Sequence, residues 1–325
     1  MRTLARRLLL YLVAAWAALT VNFFLPRLMP GDPVSRMFAS YQGQLEPEAL
    51  AALRRTFGLT DAPLGAQYLS YLGHVARGQL GVSLTYFPAP VTEVMATGMF
   101  WTLVLAGTSV LLSFALGTLL GVVVAWRDDG RLDAWLVPAL SFLGAFPYFW
   151  LAMLLLYLFG FQLSWFPLGH AYSDTLTPAW SLAFVADVLR HAALPSFTLI
   201  VATIGGWTLG MRSSMVAVLG ADHVTFALAK GLSPARVMLR YAARSAILPN
   251  LTQLGMALGF VLGGALLTEM VFGYPGQGYL LLQAVRSQDY PLMQGIFLGI
   301  TLAVLGANLM IDLVHFWLDP SVRRS

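Results

Sequence analysis

Cysteine is absent from the 325 residues, charged side chains make up only 10% of them, and lysine occurs once, as Lys230. The missing cysteine excludes disulfides, Fe–S clusters and Cys-based zinc sites, and leaves the redox compartment open. The missing charge is the larger clue. An ordinary soluble domain carries roughly 25% charged residues, whereas here 58% are hydrophobic. A surface this poor in charge is suited to lipid as its solvent. No Gly-x-x-x-x-Gly-Lys-Ser/Thr loop is present, so the chain has no phosphate cradle of its own. His74, His170, His191, His223 and His315 are scattered without metal-ligand spacing, and no nucleophile, base or metal set clusters. The sequence therefore offers no catalytic residues, no metal site and no cofactor bound by this chain.

What is present is a series of apolar runs. The first extends from about Leu8 to Leu25, behind Arg2, Arg6 and Arg7. That basic start resembles a signal peptide, and Ala15-Trp16-Ala17 resembles a cleavage site, but the run continues to Phe23, Phe24 and Leu25. Its length fits an uncleaved anchor. Five more runs follow: Trp101–Trp126, Leu136–Phe161, Leu194–Leu219, Leu248–Leu267 and Leu292–Leu318. Each is long enough to cross about 30 Å of hydrocarbon at roughly 1.5 Å per residue. Pro147 and Pro195 fall in or at the ends of these runs, where neighbouring helices can satisfy freed carbonyls. The fold class expected is an all-α integral membrane protein of about six transmembrane helices.

The basic residues orient it. With the N-terminus inside, the inner segments and span ends hold Arg2, Arg6, Arg7, Arg127, Arg131, Arg212, Lys230, Arg236, Arg240, Arg244, Arg323 and Arg324. The outer ones hold Arg27, Arg36, Arg54, Arg55, Arg77, Arg190 and Arg286, spread over longer loops. Both termini are expected in the cytoplasm. The net charge of +4 is thus a topology signal, and with no basic patch interleaved with aromatics it does not point to nucleic acid.

Four regions follow: an N-terminal helix over 1–29, an outer helical segment over 30–99, a five-helix core over 100–318 and a tail over 319–325. In the outer segment, Glu46-Pro47-Glu48 opens a helical pattern through Leu50, Leu53 and Phe57, and Tyr68, Leu72 and Val75 share the face of a second helix ending near Gly78. This segment reads as a lid over the helix ends or as a docking surface, and the pattern does not separate the two. Trp165 and Trp180, between the third and fourth runs, suit the membrane–water interface.

The most informative stretch lies within 220–249, on the inner side. Asp222 starts a short helix and Lys230 ends it, each with the sign that the helix dipole favours. Gly231 allows a left-handed exit. Ser233 and Pro234 read as the N-cap and first residue of a second helix, which carries Arg236, Arg240 and Arg244 on one stripe. A short helix fixed by a tight bend can act as a lever for a motor protein; an amphipathic loop with positive-inside charge has the same pattern.

This stretch resembles the cytoplasmic coupling motif of type I ABC importer permeases, through Ala227, Ala229, Lys230-Gly231, Ala246 and Leu248-Pro249. Ala-Lys-Gly-Leu-Ser at 229–233 is similar to the dipeptide/oligopeptide permease family. Further matches are Met29-Pro30-Gly31-Asp32-Pro33, Gly58-Leu59-Thr60-Asp61-Ala62-Pro63-Leu64, Gln67-Tyr68, Gly78-Gln79-Leu80-Gly81-Val82-Ser83, Glu269 to Gly278, Asp289-Tyr290-Pro291 and Asp319-Pro320. Their order and spacing cover nearly the whole chain. His223 stands where the family usually has Tyr or Phe, and Leu228 where it often has a basic residue; both would tune the fit to a particular ATPase.

The resemblance implies the type I importer permease fold, a prokaryotic inner-membrane location and half of a translocation pathway. It implies a second homologous permease, two ATP-binding cassette subunits holding ATP and magnesium, an extracytoplasmic substrate-binding protein and surrounding membrane lipid as partners. It assigns ATPase coupling to Asp222, His223, Ala227, Ala229, Lys230 and Gly231, supported by Arg236, Arg240, Arg244 and Pro249. Glu269, Tyr274, Pro275, Gly276 and Gly278 would form an outer re-entrant loop or gate. Thr102, Ser109 and Asn308 are candidates for the pathway lining, and helix–helix contacts would explain them equally; Asn22, Ser113 and Asp312 raise the same question. Peptides are the family's commonest cargo, with oligosaccharides or nickel as alternatives. A stand-alone secondary transporter would call for more buried ionisable groups.

Overall fold

The computed structural model describes residues 2–28, 62–127, 130–261 and 265–318. The helix expected around Glu46–Phe57, the Met29–Pro33 motif, the side chain of Asp312 and the 319–325 tail lie outside the described residues. Among those described, the structure is helical and has no strand, only an isolated bridge between Val82 and Pro90.

The elements are α1 (Arg2–Leu28), α2 (Leu64–Ala76), α3 (Val91–Trp126), α4 (Arg131–Ala145), α5 (Tyr148–Gln162), α6 (Leu182–Leu219) and α7 (Asp222–Ala229). Next comes α8, a run of Pro234–Val237, a π turn at Met238–Ala242 and Ala243–Ala246. Then follow α9 (Leu248–Val261), α10 (Leu266–Val271), α11 (Gln277–Ser287) and α12 (Tyr290–Leu318). Each of the six expected apolar runs is largely helical; the fifth is helical over Leu248–Val261 and again from Leu266, after a non-helical Ala265. By length and composition, α3, α6 and the Tyr290–Met310 part of α12 can each cross a bilayer alone, and α4 with α5 makes a fourth, bent span. The apolar part of α1, Leu9–Phe24, is shorter.

The second, fourth and third runs also differ from expectation. The second run starts at Val91, ten residues early, because Val91–Phe100 is helical despite Thr92, Glu93 and Thr97. The fourth starts at Leu182, where the Ser181 hydroxyl accepts from the Phe184 N–H at 3.2 Å as an N-cap. The third is broken: α4 and α5 meet at 93°. Phe146 is extended before Pro147, as a residue preceding proline prefers. Pro195, by contrast, is carried within α6.

The chain forms two compact units. One comprises Met1–Trp101, Leu262–Leu266 and Pro275–Ser325; the other comprises Thr102–Val261 and Leu267–Tyr274. In the first, Val91, Val94, Leu280, Leu281, Ala284, Leu292, Met293 and Ile296 form the core. Phe23 of α1 is fully buried against Tyr68 and Tyr71 of α2, with ring centroids 5.2 and 5.6 Å away. The Arg27 guanidinium lies 3.6 Å above the Phe23 ring. Tyr68, Leu72 and Val75 do share the less exposed face of α2. Asn22 donates to the Gln294 carbonyl of α12 at 2.7 Å, a helix–helix bond.

Asp289 explains why two distant motifs occur together. Its carboxylate is fully buried and accepts from the Ser83 hydroxyl, from the Thr85 N–H at 2.9 Å and from the Leu292 N–H at 3.1 Å. The last bond is an N-cap for α12, and the first two tie the Gly78–Ser83 loop to it. Burial raises the Tyr86 phenol above its ordinary pKa, and Tyr279 and Asp289 add to the rise.

In the second unit, α3 runs along α6. Gly117 and Gly121 permit the approach: a Cβ at Gly117 would lie 2.6 Å from the Trp207 Cβ. Asn250, at the start of α9, is buried and donates to the Trp207 carbonyl at 3.2 Å and the Thr118 hydroxyl at 3.4 Å. One residue thus joins three apolar helices through polar bonds.

Candidate coupling site

Helix α6 ends at Leu219, and α7 leaves it through Gly220 and an extended Ala221. The buried side of α7 is Val224 and Ala227. These pack with Val122, Met211, Met215, Val237, Ala242 and Ala246, with Leu232 and Ile247 at the edge. A two-turn helix has little stability by itself, so this core is what holds α7 in place.

The bend after α7 is a Schellman motif. The Gly231 N–H donates to the Leu228 carbonyl at 2.9 Å, and the Leu232 N–H to the Ala227 carbonyl at 3.4 Å. Gly231 has φ +75°, a conformation that side chains with a Cβ rarely adopt. The next helix starts with Ser233 at the N-cap and Pro234 at the first position, as expected. The Ser233 hydroxyl makes no cap bond, which differs from its expected role; its carbonyl instead accepts from the Arg236 and Val237 N–H groups at 2.9 and 3.1 Å. Across the bend, the Ser245 hydroxyl and His223 Nε2 lie 3.4 Å apart.

The other face of α7 is open. Asp222, His223, Ala229 and Lys230 are exposed, and so are Phe226 (61%) and Leu228 (47%). The Lys230 ammonium sits 4.5 Å from the centre of the Phe226 ring. Arg236, Arg240, Arg244 and Pro249 are exposed too. Of the expected coupling residues only Ala227 is buried. It anchors the helix, while the rest are free to meet another protein. The shape is a stub fixed on one side by a core and bearing apolar groups on the other.

The expected gate and lining residues are distributed differently. Glu269 on α10 is fully buried and accepts from the Thr102 hydroxyl of α3 at 2.8 Å. Two residues expected in separate roles thus form one contact. A second Schellman motif ends α10: Gly273, at φ +54°, donates to Met270 at 3.3 Å, and Tyr274 donates to Glu269 at 2.8 Å, both to carbonyls. The Tyr274 side chain is fully buried. Pro275 follows it, Gly276 is the N-cap residue of α11, and Gly278 is buried in its first turn. Ser109 is buried and donates to the Leu105 carbonyl at 2.6 Å, in the π turn Leu103–Gly107. Asn308 is half-buried on α12.

Asn250 makes its bonds to the Trp207 carbonyl and the Thr118 hydroxyl although no sequence motif marks it. Its signal is its place, a polar residue directly after Leu248-Pro249 inside an apolar run. Among the described residues no group of three His, Cys, Asp or Glu is arranged to hold a metal ion.

Residues 117–324 match the family described as binding-protein-dependent transport system inner membrane component. Similar proteins include the di/tripeptide transport system permease protein of Pseudomonas aeruginosa, 35% identical over 98% of both chains. The oligopeptide transport system permease protein of Bacillus subtilis is 30% identical over 98% of both. The glutathione transport system permease protein of Salmonella typhimurium is 34% identical over 93% of this chain and 92% of its own.

Proposed function

Because the chain belongs to the binding-protein-dependent transport system inner membrane components, we propose that it is the permease subunit of an ATP-driven peptide importer. It forms half of the pathway and works by alternating access. A second, homologous permease completes the pathway, two ATP-binding cassette subunits carry ATP and magnesium, and an extracytoplasmic binding protein delivers the substrate. The chain lies in the inner membrane with both termini in the cytoplasm. The observation that carries this reading is α7, a core-anchored helix with Phe226 and Leu228 exposed beside a rigid bend. Closure of the ATPase dimer would move α7, and the shared core would pass that movement to α3 and α6.

Peptide cargo is favoured because the similar proteins named above are di/tripeptide, oligopeptide and glutathione permeases. Oligosaccharides and nickel remain the other cargoes, and the ligand affinity of the binding protein decides between them. The coupling role is tested with Gly231→Pro in the reconstituted complex. Proline fixes φ near −65° and removes the N–H that donates to Leu228, so the bend is lost. The expected result is a normally inserted chain whose complex no longer couples ATP hydrolysis to transport. Unchanged transport would refute the lever.

A further inference from the structure

Helix α8 carries an exposed basic surface beside the α7 face. Its buried residues are Val237, Ala242 and Ala246, followed by Asn250 of α9. The first step is five residues and falls in the π turn Met238–Ala242; the next two steps are four. On the exposed side stand Arg236, Arg240 and Arg244, and then, at the same spacing, Leu248. In a uniform α-helix, positions four apart drift by about 40° at each step. The extra residue of the π turn counters that drift and keeps the arginines in one row.

The row changes character along its length. Three guanidiniums give way to Leu248 and, three residues on, to Leu251, both exposed. Exposed Leu239 and Tyr241 flank Arg240. Among the described residues, no carboxylate pairs with any of these three arginines. A helix face that passes from cationic to apolar marks the level at which water gives way to hydrocarbon. Arginine stems lie on apolar surface there and their heads stay among the headgroups. The planar guanidinium fork matches a phosphate.

We propose that Arg240 and Arg244, with Arg236 at the water end, form a binding site for the phosphate headgroup of an anionic phospholipid. Two features select lipid over an acidic protein surface. The row is continuous with exposed leucines, which an acyl chain would cover, and its charge has no carboxylate partner among the described residues. An ATPase subunit would instead meet α7, where Phe226 and Leu228 are exposed. A lipid held here would steady α8, the link between α7 and the α9 span. This consequence rests on the coupling role of α7, whereas the site itself does not.

The test uses the whole transporter in nanodiscs of phosphatidylcholine with a small fraction of phosphatidylglycerol. Retained phosphatidylglycerol is measured by native mass spectrometry. Removing both charges, as R240Q/R244Q, should weaken retention about 25-fold. That is about fivefold per arginine, the factor that corresponds to roughly 1 kcal/mol per basic residue near an anionic surface. The lysine double variant R240K/R244K should keep most of it, which separates headgroup charge from a folding defect. Equal retention by R240Q/R244Q would overturn the proposal. So would a variant that keeps its phosphatidylglycerol and loses its ATP-binding subunits, since the row would then be a protein contact. Retention is read without transport, so failure here is distinct from failure of the coupling role tested with Gly231→Pro.

Discussion

Thr102 and Glu269 illustrate how a buried polar pair is distributed along a sequence. They are separated by 167 residues and meet at 2.8 Å with both side chains fully buried. A buried carboxylate that loses a hydrogen-bond donor keeps its desolvation cost. Thr102→Val, which preserves shape and removes the hydroxyl, should therefore destabilise the protein by about 1–3 kcal/mol. Thermal unfolding of the purified chain would show this as a lowered midpoint; an unchanged midpoint would mean that the pair contributes nothing. Thr102 is visible in the sequence as a polar group in an apolar run, and Glu269 as an acid at the head of the loop that follows one. Their pairing is not, because no local pattern links such distant positions. Gly231 was legible by contrast. A left-handed exit after a helix is a local property, and glycine is the residue that supplies it at no steric cost.

Among the elements, α3 and α6 depend on close approach. A Cβ at Gly117 would come within 2.6 Å of the Trp207 Cβ, while one at Gly107 would meet nothing within 4 Å. Gly117→Val should thus cost about 1–3 kcal/mol or more through overpacking, with a reduced yield of folded protein in detergent. Gly107→Ala is the matched control and should behave as wild type. Similar yields from both variants would contradict the packing described. The element boundaries show where pattern reading stops. The first turn of α3 carries Glu93, and the second and third turns of α6 carry Asp187 and Arg190, so their hydropathy resembles that of a loop. Their helicity comes from what they pack against and from the Ser181 cap. Pro147 was visible, but proline is compatible with either a tolerated kink or a break. Phe146, extended before it, makes the break.

For the whole molecule, the arginine distribution and the lengths of the apolar runs were enough to expect a polytopic helical protein. The spread of short motifs was enough to place it in its family. The two compact units were not legible, because each collects segments from both ends of the chain or from its middle. The central claim is that α7 is where an ATP-driven motor takes hold. It is tested most directly by cross-linking at Leu228, which is exposed and lies in a chain with no cysteine. Leu228→Cys, carrying a short photoactivatable group in the assembled transporter, should cross-link to an ATP-binding subunit, with a yield that changes between nucleotide-free and ATP-bound states. Cross-links only to lipid or to the extracytoplasmic binding protein, in either state, would contradict the account.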